Sequence, residues 1–157
     1  MCATRSGPDL CFLCDQNLGR LTRWLRILGF DAEYMHGYDQ GRIDRAIADG
    51  RIVLTRKSSL AGRRSVLVIR HDRVHDQLLE LGGIFDLSCR IKAFSRCSLC
   101  NTGLVHVPRD EVKGLVPDYV HATCEAFARC PSCGRIYWKG THFTRACDRM
   151  RSTLKGC

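Results

Sequence analysis

Two CxxC pairs, Cys97-Ser98-Leu99-Cys100 and Cys130-Pro131-Ser132-Cys133, constrain this chain more than any other feature. Four thiolates presented from two knuckles close a tetrahedral zinc site, and a metal with four protein ligands is structural, with no open position for catalysis. A knuckle turns sharply just past its second cysteine, where a positive φ is often needed. Asn101 and Gly134 stand there, and both residue types tolerate it. Residues 101–129 separate the pairs, a longer spacing than in the commonest short ribbons but an acceptable loop. Four unrelated free cysteines, or a redox pair, would leave the matched spacing and turn residues without a reason.

The remaining cysteines read differently. The chain holds 11, an odd number, and Asp9 and Asp15 interrupt its only candidate secretory stretch. A disulfide framework is therefore not expected, and a reducing, cytoplasmic setting is. Cys11 and Cys14 also form a CxxC, but within an apolar run that reads as a core strand, so they are expected as small buried side chains. Cys2, Cys89, Cys124, Cys147 and Cys157 show no partner pattern.

No apolar run approaches the ~18–20 residues that span a bilayer, and a membrane protein is excluded on that ground. Lys and Arg total 25 against 16 Asp and Glu, a net charge of +9. Residues 1–93 carry 15 basic and 11 acidic side chains; residues 94–157 carry 10 and 5. Both halves are basic, so a polyanion, nucleic acid first, suits the whole chain.

Residues 11–93 alternate short apolar runs with helical periodicity. Cys11–Cys14, Ala32–Met35, Ile52–Thr55 and Val66–Ile69 are strand-sized. Leu18, Leu21, Trp24, Leu25 and Leu28 recur at helical spacing with Gly29 as a stop. Ile43, Ala46 and Ile47 mark a second helix ending near Gly50, and Val74, Leu78, Leu79 and Leu81 a third before Gly82-Gly83. This order predicts an α/β domain with a mostly parallel sheet and helices on both faces. In such sheets, ligands bind outside the carboxyl ends of the strands. Asp15, just past the first strand, is thus a candidate site residue, with an N-cap of the next helix as the alternative. Asp39 and Asp44 near the second helix and Asp72 after the fourth strand are the other candidates; each is otherwise a cap or a solvated acid. Metal-bound carboxylates at such a crevice would serve phosphodiester hydrolysis through Mg²⁺ or Mn²⁺. Arg20, Arg23 and Arg26 form a basic stripe on the first helix. It is either a solvated face or, for Arg20 and Arg23, a phosphate-holding one.

Phe12-Leu13-Cys14-Asp15, Leu18-Gly19-Arg20-Leu21, Trp24-Leu25-Arg26-Ile27-Leu28-Gly29, Gly50-Arg51-Ile52-Val53-Leu54-Thr55-Arg56, the Arg96-to-Asn101 knuckle and Tyr137-Trp138-Lys139-Gly140-Thr141-His142 together resemble the Mut-seven C-terminal RNase domain family over roughly residues 10–145. The resemblance implies a PIN-like nuclease domain over 10–93, a zinc ribbon over 94–145 and a terminal helix or tail over 146–157. It implies metal-dependent cleavage of RNA, single-stranded by preference. By position, Asp15 matches the family's leading metal-binding aspartate, and Asp39 falls near its second acidic position. The catalytic set is then Asp15, Asp39 and Asp72, with Asp15 and Asp39 on the divalent ion and Arg20, Arg23, Arg56 and Lys57 on the RNA.

One residue departs from that family. Where it usually reads Leu-Thr-Arg-Asp, this chain reads Leu54-Thr55-Arg56-Lys57. A +1 charge replaces a −1 ligand and repels Mg²⁺. Three consequences stand open: loss of activity with RNA binding kept, a metal held by Asp15 with Asp39 and Asp72, or direct contact of Lys57 with the phosphate. Ser58 and Ser59 are weak substitutes as oxygen ligands. His142, Tyr137 and Trp138 are expected to pack within the ribbon or at its seam, with RNA contact, or for His142 a catalytic role, as the alternative. The expected function is a metal-dependent ribonuclease. Its rivals are a non-catalytic RNA or ribonucleoprotein binder on the same scaffold and a zinc module for protein contacts.

Overall fold

The apolar runs build a four-stranded sheet, and the cysteine-rich half builds a second, smaller one. The computed structural model describes residues 9–155, less the side chains of His142, Phe143, Ala146 and Lys155. Cys2, Cys157 and the side chain of His142 lie outside the described residues. The first sheet contains β1 (Cys11–Cys14), β2 (Asp31–Tyr34), β3 (Ile52–Thr55) and β4 (Val66–Val68), all parallel, in the order β2-β1-β3-β4. Helix α1 (Gly19–Ile27) links β1 to β2, α2 (Gln40–Ala48) links β2 to β3, and α3 (Val74–Ile84) follows β4.

Alternation along the strands divides the core in two. Phe12, Cys14 and Leu54 point to one face, where they pack with Leu21, Leu25 and Leu28 of α1 and Leu78 and Leu81 of α3. Leu13 and Val53 point to the other face, against Ile43 and Ala46 of α2. The result is the expected three-layer α/β arrangement. Cys14 is fully buried, and burial pushes its thiol up to about 12, so it behaves as a small apolar side chain.

Three local details differ from expectation. The second strand starts one residue earlier, at Asp31. Helix α3 runs through Gly82-Gly83 to Ile84 instead of stopping before them. The last helix, α5 (Thr141–Lys155), begins ahead of residue 146 and returns to the first sheet, where Met150 and Leu154 join its core. The helical glycine and the seating of α5 are linked. A Cβ on Gly82 would lie 2.5 Å from Leu154 Cδ2, so the bare backbone of α3 is where α5 seats. No described helix is long and apolar enough to cross a membrane.

Strands β5 (Val105–Val107), β6 (Phe127–Arg129) and β7 (Ile136–Trp138) form the antiparallel second sheet, with α4 (Asp118–Thr123) between β5 and β6. Its core is Val107, Val112, Val116, Val120, Cys124 and Phe127, with Ile136 and Trp138 packed against it.

The seam between the sheets is polar and specific. Arg26, expected on a solvated stripe, is 8% exposed. Its Nε donates to Ala32 O at 2.7 Å, and its Nη1 donates to the carbonyls of Ser98 and Leu99 in the first cysteine knuckle. Asn101 Oδ1 accepts from Ala32 N at 3.1 Å on edge strand β2, and its Nδ2 donates to Asp31 Oδ1 at 2.8 Å. Gly29 completes the junction. Its φ is +95°, and a Cβ there would lie 2.2 Å from Lys92 O, so the chain crossing to the second sheet passes directly over it. Replacing Arg26 by Ala leaves these carbonyls without their donor. The expected loss is about 3 kcal/mol of stability, read as a lower denaturation midpoint.

Asp31 carries the acid sensitivity of this seam. Burial raises its carboxyl, but hydrogen bonds from Arg51 and Asn101 outweigh that and hold it below the usual carboxylate range. A depressed folded-state value adds stability above the unfolded value of about 3.9, and that stability is lost as pH falls through the folded value. Acid titration of the melting temperature is therefore expected to show a decline below pH ~4 in the wild type that is shallower in Asp31→Asn.

Candidate functional site

Strand order locates the site. Chain connection moves from β1 outward to β2, then back across to β3 on the other side of β1. The strand order thus reverses between β1 and β3, and the crevice outside their carboxyl ends is where open α/β sheets bind ligands. Asp15 follows β1 at this point, and Arg56 and Lys57 follow β3.

Asp15 is 7% exposed. Its Oδ1 accepts from Asn17 N at 2.8 Å, so the capping role that stood as its alternative is also present, on the 3-10 turn Gln16–Leu18. Its Oδ2 accepts from Thr55 Oγ1 at 2.6 Å and Arg56 N at 2.9 Å. A carboxylate offers about four acceptor positions, so one remains. Asp15 shares a cavity of about 300 Å³ with Gln16, Asn17, Met35, Tyr38, Arg56 and Lys57. Thr55 escaped sequence reasoning, although it stands in the Leu54-Thr55-Arg56 stretch.

Lys57 lines this cavity with Nζ 3.7 Å from the centroid of the Tyr38 ring. An exposed cation–π contact contributes roughly 0.5–1 kcal/mol, enough to bias the lysine rotamer. Arg56 Nη1 donates to Arg70 O and His71 O, and its Nη2 pairs with Asp72 Oδ1. Gln77 Nε2 donates to His71 O at 2.9 Å and holds the same segment. Arg56 thus fixes the chain beyond β4 while lining the cavity of Asp15.

The other predicted residues spread out. Asp39 caps α2 by accepting from Arg42 N at 3.0 Å, and it is exposed. Asp72 is 88% exposed in its side chain and held by Arg56. Arg20 lines a cleft of about 600 Å³ with Asn17, Asp72, Arg73 and His75. Arg23 lines a different hollow, beside His36 and the knuckle residues Ser98 and Leu99. Asp44 pairs with Arg63.

Among the described residues, Asp15, Asp39 and Asp72 do not bring their oxygens together as a metal-holding set; the four cysteines do. Asp15 has most of its acceptor positions filled, Asp39 caps a helix, Asp72 is ion-paired and an ammonium lines the cavity. This donor set does not fit Mg²⁺ or Mn²⁺.

The cysteine cluster does fit a metal such as zinc. The four Sγ atoms lie within 4.8 Å of one another, and Cys97 and Cys133 are 3.7 Å apart. Sulfurs about 2.3 Å from a tetrahedral zinc stand ~3.8 Å apart. Each knuckle donates the backbone N–H of its second cysteine to the sulfur of its first, at 3.3 Å for Cys100 and 3.5 Å for Cys133. Asn101 and Gly134 follow with φ of 66° and 72°, as their positions require. Tyr137 accepts from Ser98 N at 3.1 Å and lies 3.0 Å from Cys97 Sγ. Burial opposes ionisation of Cys97, but hydrogen bonds from Tyr137 and the knuckle amides outweigh it and bring the thiol down to about 6. Tyr137 is thereby committed to the cysteine cluster, and Trp138 packs against the core of the second sheet.

The chain matches the model of the Mut7-C RNAse domain over residues 10–150. Comparisons with curated proteins and with solved structures return no match. A match to an RNase domain implies an RNase-like function with RNA as its substrate. Since the matched region covers nearly the whole chain, in the order in which the motifs occur, the chain belongs to the Mut7-C RNAse domain family.

Proposed function

We propose that this protein cleaves single-stranded RNA at the crevice formed by Asp15, Arg56 and Lys57. The observation that carries the reading is the placement of a buried carboxylate and two cationic side chains in one cavity at the strand-order reversal. Arg56 and Lys57 offer positive charge to the phosphodiester, and Arg20 extends it along the adjoining cleft. The free acceptor position of Asp15 takes a proton from the attacking water as its oxygen bonds to phosphorus; the P–O bond to the leaving ribose oxygen breaks, and solvent protonates that oxygen. The cysteine cluster, loaded with zinc, holds the second sheet against the first, and the arginines and lysines of that half add basic surface. Cytoplasmic placement is part of the proposal, since clustered thiolates suit a reducing compartment.

A second reading, RNA binding without cleavage, is favoured by one observation: Lys57 stands where the family's resembling motif carries a carboxylate. Both readings require an electrostatic grip on the backbone. Titrating a labelled single-stranded RNA is expected to give an affinity that falls linearly with salt on logarithmic axes, with a slope near −0.7 per phosphate contacted. An affinity independent of salt, or none at low salt, would rule out both.

A further inference from the structure

The strongest disagreement between this chain and a metal-dependent nuclease is at Lys57. The carboxylates at the crevice are already engaged. Asp15 accepts from Asn17, Thr55 and Arg56, and Asp72 is paired with Arg56. A divalent ion would have to enter a cavity that Lys57 already lines. The lysine is not a loose surface charge. Tyr38, half-exposed and hydrogen-bonded to Gln40, presents its ring face under the ammonium, and Tyr38 lines the same cavity. Asp15, the nearest counter-charge in that cavity, is already solvated by protein donors. The ammonium therefore keeps its attraction for an incoming anion.

We infer that Lys57 is the cation this site presents to the phosphodiester, in the place where a divalent ion would otherwise stand, so that the chain grips RNA without Mg²⁺ or Mn²⁺. This rests on the reading of the crevice as an RNA site and goes beyond it in naming how the phosphate charge is met. The ammonium is a compact point charge suited to a phosphate oxygen. Its contact with Tyr38 keeps it near the bound position before RNA arrives, which lowers the ordering cost on binding.

The test is fluorescence anisotropy of a labelled single-stranded RNA at low salt. The buffer is freed of divalent ions on a chelating resin before protein is added, so that the cysteine cluster is not stripped. Wild-type affinity is expected to be the same or slightly weaker when Mn²⁺ is added back, because added cations compete for phosphates. Lys57→Gln is expected to weaken binding about tenfold or more in the divalent-free buffer, and Lys57→Arg to keep most of it. Lys57 is exposed, so neither change removes a core contact. Equal melting curves check that. Wild-type binding that appears only with Mn²⁺, or Lys57→Gln binding as tightly as wild type, overturns the inference and leaves the RNA site standing. No binding in either buffer removes the RNA site itself.

Discussion

Replacing Cys97 by Ser is expected to unfold the second sheet and to lower the melting temperature of the whole chain. The ribbon's core is small, about half a dozen aliphatic, cysteine and aromatic side chains around Phe127. A core of that size does not offset the ordering of its loops by itself. Zinc on the four thiolates would supply the difference: apparent binding energies in small zinc domains are about 10–16 kcal/mol, and that energy is folding energy. The effect reaches the first sheet because Ser98, Leu99 and Asn101 of the same knuckle receive or make hydrogen bonds with Arg26, Ala32 and Asp31. Metal analysis is expected to find one zinc per wild-type chain and none stably bound in Cys97→Ser. A variant that melts like wild type would mean that the cluster is not a structural metal site. Loss of zinc on acidification follows the same chemistry, since each ligand must be deprotonated.

How far the sequence carried this picture depends on the range of the interactions involved. Three strands of the first sheet were legible as short apolar runs, and Ile52–Thr55 coincides with β3 end to end, whereas β2 carries Asp31 and Glu33 and was placed one residue late. The knuckles were legible because cysteine spacing and the two residues that tolerate positive φ are local facts. Arg26 was not. On α1 it belongs to a basic stripe with Arg20 and Arg23, and its burial rests on the carbonyl of Ala32 together with knuckle carbonyls more than seventy positions away. Gly82 misled for the same reason. A glycine pair reads as a helix stop until Leu154 of α5 is seen to need the space. At the crevice, position after β1 pointed to Asp15, whereas Arg56 and Lys57 came only from the family resemblance and the departure from its motif. Sequence could not show that Asp39 and Asp72 stand apart from Asp15 or that Tyr38 lies under Lys57, because those depend on how loops after different strands fold back.

The Asp15→Asn variant separates the roles of Asp15. The amide oxygen keeps the donors of one former carboxylate oxygen, either Thr55 and Arg56 or Asn17, and its NH₂ opposes the donor on the other side. A stability loss of about 1–2 kcal/mol is expected, small enough for the protein to stay folded. The proton acceptor, however, is gone, and a lost general base lowers the rate by roughly 10²–10⁴-fold. The measurement that bears most directly on the account is therefore the cleavage rate of an end-labelled single-stranded RNA by wild-type and Asp15→Asn proteins prepared alike, with binding monitored in parallel. The account predicts that wild type shortens the RNA, while the variant binds it and leaves it intact. Equal cleavage by both proteins, or an intact RNA bound by wild type, would contradict it.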